Sequence, residues 1–234
     1  MASHSFLHST SRHVAGAIGS PRLKETEVTG NEKIAPGIYR LTFPRKDNFV
    51  PGQTLALTTD QCIPARYYSI ASGCNDPFIE IVYDLVPEGT LTPRLVRLRP
   101  ADRLFVSEPI GSFIDDEYES VWIAAGTGVA PFASMARSGL LAGKFLVQGS
   151  RTLAGLYLRG YFSSVLGERY VPCCSTEAGE GVFFGRTTAW LARADLSPEG
   201  KYLLCGSSGM VVDVRDILIA RGVLFQRVIS EIFF

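Results

Sequence analysis

Residues 121–132 read Val-Trp-Ile-Ala-Ala-Gly-Thr-Gly-Val-Ala-Pro-Phe, an apolar run that leads into Gly126-Thr127-Gly128 and then into a helical pattern. Glycines let a backbone approach a phosphate closely, and the start of a helix favours an anion. The stretch is shorter than the full G-x-G-x-x-G fingerprint, so a tight turn without a ligand stays open as the alternative. It predicts a strand, a candidate dinucleotide-binding turn and a helix.

The chain after this stretch alternates apolar strands with helical segments, a pattern typical of a parallel sheet with helices on both faces. The predicted strands are 121–125, 145–148, 170–174, 202–205 and 225–229, and the predicted helices are 130–138, 153–165, 188–194 and 209–220. A second small-residue turn follows Cys205, at Gly206-Ser207-Ser208-Gly209. Ligands of such sheets bind outside the carboxyl ends of the strands, so we expect both turns to face one site.

The chain before this stretch has short β-type runs separated by Gly, Pro, Asn and Asp. The predicted strands are 37–43, 53–58, 66–72, 78–84 and 103–107, with a helix at about 93–98, and they indicate a small antiparallel barrel. We therefore divide the chain into a leader, tag or disordered segment at 1–21, a barrel domain at 22–112 and a parallel α/β domain at 113–234. The connection at 111–119 carries Asp115, Asp116 and Glu117, which we expect to be solvated.

Residues 87–94 form a third small-residue turn, Pro-Glu-Gly-Thr-Leu-Thr-Pro-Arg. Thr92 is suited to the N-cap of a helix, and Pro93 is suited to the first helical position. Such a helix start leaves peptide N–H groups that favour an anion. Helix capping without any ligand is the alternative for this segment.

The composition argues against several classes of function. Formal net charge is zero at pH 7, unlike most nucleic-acid-binding proteins. No apolar run reaches the roughly 18 residues that a membrane-spanning helix needs. The five cysteines form no C-x-x-C pair, which argues against zinc and iron–sulfur sites and favours a reducing compartment. All three histidines lie within residues 1–13, so we expect chemistry that does not use imidazole and no metal site.

Residues 1–21 contain no Asp or Glu but five Ser, three His and one Arg. We expect a disordered leader or tag, and a transit peptide is the alternative because transit peptides are acid-poor and rich in Ser and Arg. The corresponding expectation for localisation is the cytoplasm, or an organelle matrix if the segment is a transit peptide.

Arg66-Tyr67-Tyr68-Ser69 lies in a predicted barrel strand and combines three chemistries. Arginine presents a planar fork to a phosphate, tyrosine a flat apolar surface to an aromatic ligand, and serine a hydroxyl to a ring nitrogen. On a regular strand Arg66 and Tyr68 share one face, and Tyr67 and Ser69 share the other. An ordinary exposed strand is the alternative.

Five motifs in this order make the chain similar to the ferredoxin–NADP⁺ reductase family, most nearly its bacterial type. The motifs are R-x-Y-S at 66–69, G-x-x-S/T at 89–92, G-T-G-x-A-P-F/Y at 126–132, C-G-x-x-x-M at 205–210, and Glu, one further residue and two aromatics at 231–234. The resemblance extends over residues 22–234. It implies a β-barrel that binds FAD tightly and a parallel α/β domain that binds NADPH or NADH.

The resemblance also implies roles for single residues. Arg66 and Thr92 would hold the FAD pyrophosphate, Tyr68 would pack on the isoalloxazine, and Phe233 would cover its other face. Ser69 would hydrogen-bond near the reactive ring nitrogen and would form, with Cys205 and Glu231, the polar set around the hydride path. Further FAD contacts are expected at Tyr67, Gly89, Leu91 and Phe234, and dinucleotide contacts at Gly126, Thr127, Gly128, Cys205 and Gly206. For the terminal aromatic pair, simple packing on the core is the alternative.

The preferred dinucleotide depends on three positions that bind the 2′-phosphate of NADPH in bacterial members of the family. Arg151 and Arg186 match two of them, while Thr176 stands where the third arginine is usual. We therefore expect NADPH to be favoured over NADH with weak discrimination. A solvated surface charge is the alternative for each arginine.

The leading hypothesis is a flavoprotein oxidoreductase similar to the ferredoxin–NADP⁺ reductases (EC 1.18.1), which exchanges electrons between NAD(P)H and ferredoxin or flavodoxin. We expect a monomer that binds no nucleic acid. The Arg94, Arg97, Arg99 and Arg103 cluster could steer an acidic redox protein, with a solvated helix face as the alternative. The competing hypotheses are a reductase of free flavin, quinone or another small acceptor, a flavin-binding electron-transfer subunit of a larger complex, and a binding module that has lost its flavin.

Overall fold

The structure, a computed structural model, describes residues 21–233. Its first part is a barrel of short antiparallel strands arranged as two sheets, β1-β7-β4-β5 and β2-β3-β6, which are joined at a bridge between Ile70 and Ile81. The strands are β1 (Lys24–Glu27), β2 (Gly30–Ala35), β3 (Ile38–Pro44), β4 (Thr54–Thr58), β5 (Arg66–Ser69), β6 (Phe78–Asp84) and β7 (Arg103–Val106), and helix α1 (Thr92–Leu95) lies between β6 and β7.

The core of the barrel follows from the two-residue period of its strands. Leu41 and Phe43 of β3 face the same interior as Ile79, Ile81 and Tyr83 of β6, and all five are buried. The structure confirms the predicted antiparallel barrel and each of its five predicted strands, with shifted ends.

Two differences from the predicted strands have local causes. Strands β1 and β2 were not predicted, because charged side chains such as Lys24 and Lys33 interrupt their apolar alternation. The strand predicted to reach residue 72 ends at Ser69, because the backbone there changes partners. The N–H of Ile70 still donates to Gln53 of the first sheet, while the N–H of Ala71 donates to Glu80 of the second.

The second part is a parallel sheet, as the strand–helix alternation predicted, and its strand order is β11-β10-β9-β8-β12-β13. Its strands are β8 (Ser120–Ala125), β9 (Lys144–Ser150), β10 (Tyr170–Cys174), β11 (Phe183–Phe184), β12 (Tyr202–Ser207) and β13 (Val228–Phe233). Its helices are α2 (Ala130–Arg137), α3 (Arg159–Leu166), α4 (Thr187–Leu191) and α5 (Ser208–Ala220). Apolar clusters cover both faces of the sheet. Within residues 21–233, every helix is too short or too polar to cross a membrane.

Some predicted bounds in this part are wrong. The helix predicted over 153–165 is a 3₁₀ turn followed by α3, because Leu158 adopts a left-handed φ of 64° that a continuous helix does not allow. The strand predicted to start at Phe225 starts at Val228, after another 3₁₀ turn. Strand β11 is two residues long and was not predicted.

Asp115 in the connection between the two parts is buried, which contradicts the expectation that it is solvated. Its Oδ2 accepts hydrogen bonds from Trp122 Nε1 at 2.6 Å and from Ser120 Oγ, and lies 2.9 Å from Nζ of the buried Lys144. Burial alone would raise the pKa of Asp115, but these hydrogen bonds and the charge of Lys144 outweigh it and lower the pKa. The partners lie on β8 and β9, so the local sequence gave no sign of them.

Asp115→Ala is expected to lower the free energy of unfolding by about 3–5 kcal/mol, because it leaves the Lys144 ammonium buried without its partner. Asp216→Ala is the matched control, since Asp216 pairs with Arg215 on the exposed face of α5 and its loss should cost less than about 1 kcal/mol. Urea unfolding of both variants at neutral pH measures the difference. Equal losses would show that the buried pair does not stabilise the connection.

Candidate active site

A polar cluster joins the barrel to the parallel sheet. Ser69, the last residue of β5, donates its Oγ hydrogen to Oε2 of Glu231 in β13 at 2.8 Å. Cys205 Sγ in β12 lies 3.8 Å from the same oxygen, and the parallel register pairs Cys205 with Glu231. Ser69 and Cys205 are both buried. The structure therefore brings together the three residues of the predicted polar set.

The cluster controls where a proton can reside. Burial raises the pKa of Glu231, and the hydrogen bonds from Ser69 and Cys205 offset this only in part. Burial also raises the pKa of the Cys205 thiol, and the charge and hydrogen bond of Glu231 raise it further. Cys205 is thus held as a thiol, and Glu231 is the member of the cluster best able to take up or release a proton.

The predicted dinucleotide turn is a 3₁₀ turn, Gly126–Val129, between β8 and α2. Position 128 requires glycine, because a Cβ atom there would lie 2.2 Å from the carbonyl oxygen of Cys205. This close approach places the turn directly against the strand that carries Cys205. The two small-residue turns of the sheet therefore lie side by side.

Two residues outside the turn, Tyr157 and Asp84, form hydrogen bonds with it. Tyr157 Oη, beneath the turn, donates to the carbonyl of Gly126 at 2.9 Å. Thr127 Oγ1 donates to Oδ2 of Asp84, the last residue of β6, at 3.0 Å. Asp84 is exposed as a residue, but partial desolvation of its carboxyl beside the turn raises its pKa, and the hydrogen bond from Thr127 lowers it in part. A barrel carboxylate thus contacts a turn of the parallel sheet.

The strand with the predicted FAD contacts presents its side chains in different environments. Arg66 and Tyr67 are exposed, while Tyr68 is half-buried. The ring of Tyr68 meets that of Tyr83 edge-on with centroids 6.4 Å apart, and Tyr83 stacks on Tyr39 at 5.6 Å. Burial raises the pKa of Tyr68 to about 12, so its hydroxyl stays protonated. The strand offers a supported aromatic side chain beside Ser69.

A cleft of 710 Å³ opens between the loop that leads into β5 and the loop that leads into α1. Its lining residues are Cys62, Ile63, Pro64, Pro87, Gly89, Thr90, Pro93, Arg94 and Arg97. The volume is in the range of small-molecule sites, and the two arginines suit a phosphate-bearing ligand. Of the predicted site residues, Gly89 lines this cleft.

Two other residues predicted on this loop point elsewhere. Leu91 is buried in the barrel core. Thr92 Oγ1 accepts a hydrogen bond from the N–H of Val86 at 2.9 Å and donates to its carbonyl at 3.2 Å, which closes the loop. The prediction that Thr92 is the N-cap is wrong: α1 begins at Thr92, and Leu91 occupies the N-cap without a side-chain hydrogen bond. The Thr92 hydroxyl forms its hydrogen bonds with Val86 across the loop and not with the N–H groups at the start of α1.

The three positions considered for the 2′-phosphate lie along the carboxyl edge of neighbouring strands. Arg151 follows β9, Thr176 follows β10 and Arg186 follows β11. The N–H of Thr176 donates to the carbonyl of Arg151 at 3.1 Å, and both arginines are exposed.

The four arginines that form the predicted cluster on the barrel do not share the same surroundings. Arg94 and Arg97 line the cleft, while Arg103 pairs with Glu25 at 3.4 Å.

The terminal aromatic pair is only partly described. The backbone of Phe233 pairs with Ser207 in the sheet. The side chain of Phe233, the whole of Phe234 and residues 1–20 lie outside the described residues. The expectations for the aromatic cover and for the leader concern these residues and therefore lie outside the described part as well.

Among residues 21–233, no three His, Cys, Asp or Glu side chains come together as a candidate metal site.

Four residues of the site were not predicted from the sequence. Asp84 ends a predicted strand, and its position next to the third turn was an available signal. The sequence shows Thr90 in that turn and Arg97 close after it. It does not show that they line a cleft, because the opposite wall of the cleft comes from the distant loop at Cys62. Tyr157 lay inside a mispredicted helix, and nothing local indicated its contact with Gly126.

Comparison with known proteins identifies clear relatives. No protein-family model matches the chain. The chain is 31% identical over 218 residues to a flavodoxin/ferredoxin–NADP reductase of Rhodobacter capsulatus, covering 79% of this chain and 80% of the relative. It is 32% identical over 194 residues to the flavodoxin/ferredoxin–NADP reductase of Escherichia coli K12, covering 71% and 77%. The crystal structure of a ferredoxin NADP⁺ reductase from Neisseria gonorrhoeae with bound FAD and NADP superposes with a TM-score of 0.82 at 18% identity, covering 91% of this chain and 99% of that one.

Glu231→Gln is expected to raise the free energy of unfolding at neutral pH, because glutamine still accepts a hydrogen bond from Ser69 but carries no buried charge. A carboxyl whose pKa is raised by folding costs stability once the pH exceeds its unfolded pKa, and the cost is complete above the folded pKa. The gain should therefore be absent in acid and should grow as the pH rises above the ordinary value of 4.5.

Urea unfolding across pH measures this difference, with Glu119→Gln as the control because Glu119 is exposed. A stability change in Glu231→Gln that does not vary with pH would contradict the raised pKa.

Proposed function

This chain belongs to the flavodoxin/ferredoxin–NADP reductase family, and we propose that it is an FAD-dependent oxidoreductase that exchanges electrons between NAD(P)H and ferredoxin or flavodoxin. The observation that carries the proposal is the 2.8 Å hydrogen bond between Ser69 and Glu231, beside Cys205. It marks the point where a cofactor bound to the barrel and a dinucleotide bound to the sheet would meet.

The residues of the barrel fit FAD. The cleft with Arg94 and Arg97 suits the phosphates, and the exposed guanidinium of Arg66 lies two residues beyond the cleft residue Pro64. Tyr68, half-buried against Tyr83, supplies an aromatic surface for a tricyclic ring. Thr92 contributes by closing the loop that carries Gly89, and Leu91 anchors that loop in the core. When bound, FAD supplies the chemistry that accepts a hydride and passes electrons on singly.

The chain's own groups orient the reactants and hold protons. The Ser69 hydroxyl is fixed by Glu231 beside the aromatic surface of Tyr68, so its direction is set before any ligand arrives. The half-buried Glu231 carboxyl, with its raised pKa, can take up a proton at Oε2 and release it again through Ser69 Oγ. The protonated Cys205 thiol adds a small, polarisable wall to the site. No imidazole is needed for any of these steps.

The sheet would hold the dinucleotide at two places. Gly126, Thr127 and Gly128, together with Cys205 and Gly206, would guide the nicotinamide half. Arg151 and Arg186 would bind the adenosine 2′-phosphate at the carboxyl edge, since an arginine fork matches a phosphate. With Thr176 at the third position, we propose NADPH as the preferred dinucleotide, with NADH also used. The proposed domains divide within the connection that contains Asp115.

We propose further that the protein acts as a monomer in a reducing compartment such as the cytoplasm. The exposed, unpaired thiol of Cys62 is compatible with that environment. The zero formal net charge supports a protein that does not bind nucleic acid.

The purified protein is expected to show flavin absorbance that decays when NADPH is added without oxygen. Arg66→Ala should weaken FAD binding about ten- to hundredfold, because a hydrogen bond to a charged group contributes about 1.5–3 kcal/mol. Arg103→Ala is the control, since Arg103 pairs with Glu25 at the surface. Quenching of flavin fluorescence on titrating apoprotein measures the affinity.

A colourless protein that does not bind added FAD would disprove the proposed function, whereas equal affinity in Arg66→Ala and wild type would remove only the role of Arg66. Oxidation of NADPH with oxidised ferredoxin or flavodoxin as the acceptor, compared with free flavin and quinone as acceptors, separates the proposed enzyme from a small-acceptor reductase.

Arg151→Ala and Arg186→Ala are each expected to raise the KM for NADPH about tenfold or more and to leave the KM for NADH unchanged, because only NADPH carries the 2′-phosphate. Thr176→Arg should shift the preference further towards NADPH by a similar factor. Arg215→Ala on α5 is the control. Steady-state kinetics with both dinucleotides give the ratios, and parallel changes for NADH and NADPH would contradict the assignment.

A further inference from the structure

We propose that Asp84 is a positioning residue that fixes the direction of the hydrogen bond made by Thr127, and that it thereby selects dinucleotides whose pyridine ring carries a carboxamide. The inference rests on the proposed function, because it takes NAD(P)H as the ligand of the turn. It assigns specificity to a barrel residue outside the five motifs.

The first step is the hydrogen bond itself. Thr127 Oγ1 donates to Asp84 Oδ2 at 3.0 Å. A threonine hydroxyl has one hydrogen and two lone pairs, and an ionised carboxylate can only accept. The single hydrogen of Thr127 is therefore engaged by Asp84, and only the lone pairs of its oxygen remain. A ligand that meets Thr127 must then supply a donor.

The second step is the location of Thr127. Gly128 touches the carbonyl of Cys205, and Tyr157 holds the carbonyl of Gly126, so the hydroxyl between them has little freedom. Tyr157 lies near both Asp84 and Cys205: burial raises the pKa of its hydroxyl, and the charge of Asp84 raises it further. Thr127 is thus fixed close to Cys205, whose thiol contacts Glu231.

The third step is the chemistry of the ligand. The nicotinamide carboxamide has an NH₂ group, which can donate to the lone pairs of Thr127. The 3-acetylpyridine analogue carries a methyl ketone, which can only accept, so it leaves the Thr127 oxygen without a donor. Leaving the Thr127 oxygen without a donor in the bound complex should weaken binding about tenfold. Without Asp84, the Thr127 hydroxyl could either donate a hydrogen bond to a ligand or accept one from it. With its hydrogen engaged by Asp84, it can only accept a hydrogen bond from a ligand.

The test compares binding of NADP⁺ and 3-acetylpyridine adenine dinucleotide phosphate to the flavin-loaded protein by calorimetry. We expect the wild type to bind NADP⁺ about tenfold more tightly than the analogue. Asp84→Leu removes the acceptor, frees the Thr127 hydrogen for the ketone and should bring the ratio close to one. Asp84→Asn keeps a carbonyl acceptor without the charge and should retain the wild-type ratio.

Two further variants complete the test. Asp195→Leu makes the same change at an exposed aspartate after α4 and should leave the ratio as in wild type. Thr127→Val removes the hydroxyl while Asp84 stays intact, and it should also bring the ratio close to one, so the inference remains testable if Asp84→Leu does not fold.

An unchanged ratio in Asp84→Leu, or in Thr127→Val, would overturn the inference while leaving the proposed function intact. A ratio near one in Asp84→Asn would overturn it as well, because the charge and not the hydrogen-bond direction would then be responsible. A wild type that binds neither dinucleotide would overturn both the proposed function and the inference.

Discussion

The hydrogen bond from Ser69 to Glu231 connects two residues that are 162 positions apart in the chain, one on the barrel and one on the last strand of the sheet. A bond of this kind contributes about 1.5–3 kcal/mol before the cost of burying the carboxylate is counted, so its net effect on stability is small. Its importance lies in geometry: it fixes the separation and orientation of the two surfaces between which the reactants would be held.

That geometry requires other contacts to hold the two parts together. Arg137 of α2 reaches across to the barrel, where it donates to Glu80 at 2.7 Å and to the carbonyl of Ala71 at 2.9 Å. The Ser138 hydroxyl accepts from the N–H of Cys74 at 2.9 Å. Asp84 and Thr127 add a fourth link. Because these links come from several strands and loops, the Ser69–Glu231 bond does not have to orient the barrel and the parallel sheet by itself.

The sequence predicted those parts of the molecule that depend on local patterns. Alternation of apolar strands and helices predicts the parallel sheet, and the apolar run before Gly126-Thr127-Gly128 predicts the turn. The polar set at Ser69, Cys205 and Glu231 is implied by the resemblance to the reductase family and not by any local pattern. Contacts between distant segments were not predictable in the same way.

Asp115 was expected in solvent because its own neighbours are acidic, yet its partners come from β8 and β9. Thr92 was expected at a helix end, but Val86 offered its hydroxyl a donor and an acceptor. The missed contacts of Asp84 and Tyr157 have the same cause: each joins segments that only the tertiary fold brings together.

The positive charges of the site lie where phosphates are proposed to bind, and the carboxylates lie nearer to the proposed position of the reacting rings. Arginines line the barrel cleft and the carboxyl edge of the sheet, the two places where the phosphates of FAD and of the dinucleotide are proposed to bind. Between them lie the carboxylates of Asp84 and Glu231, whose pKa values are raised by partial desolvation. Binding energy can therefore come from groups remote from the reacting rings, which leaves the rings held by weaker and directional contacts. A site of this design can release its dinucleotide after each turnover and still impose the alignment that hydride transfer requires.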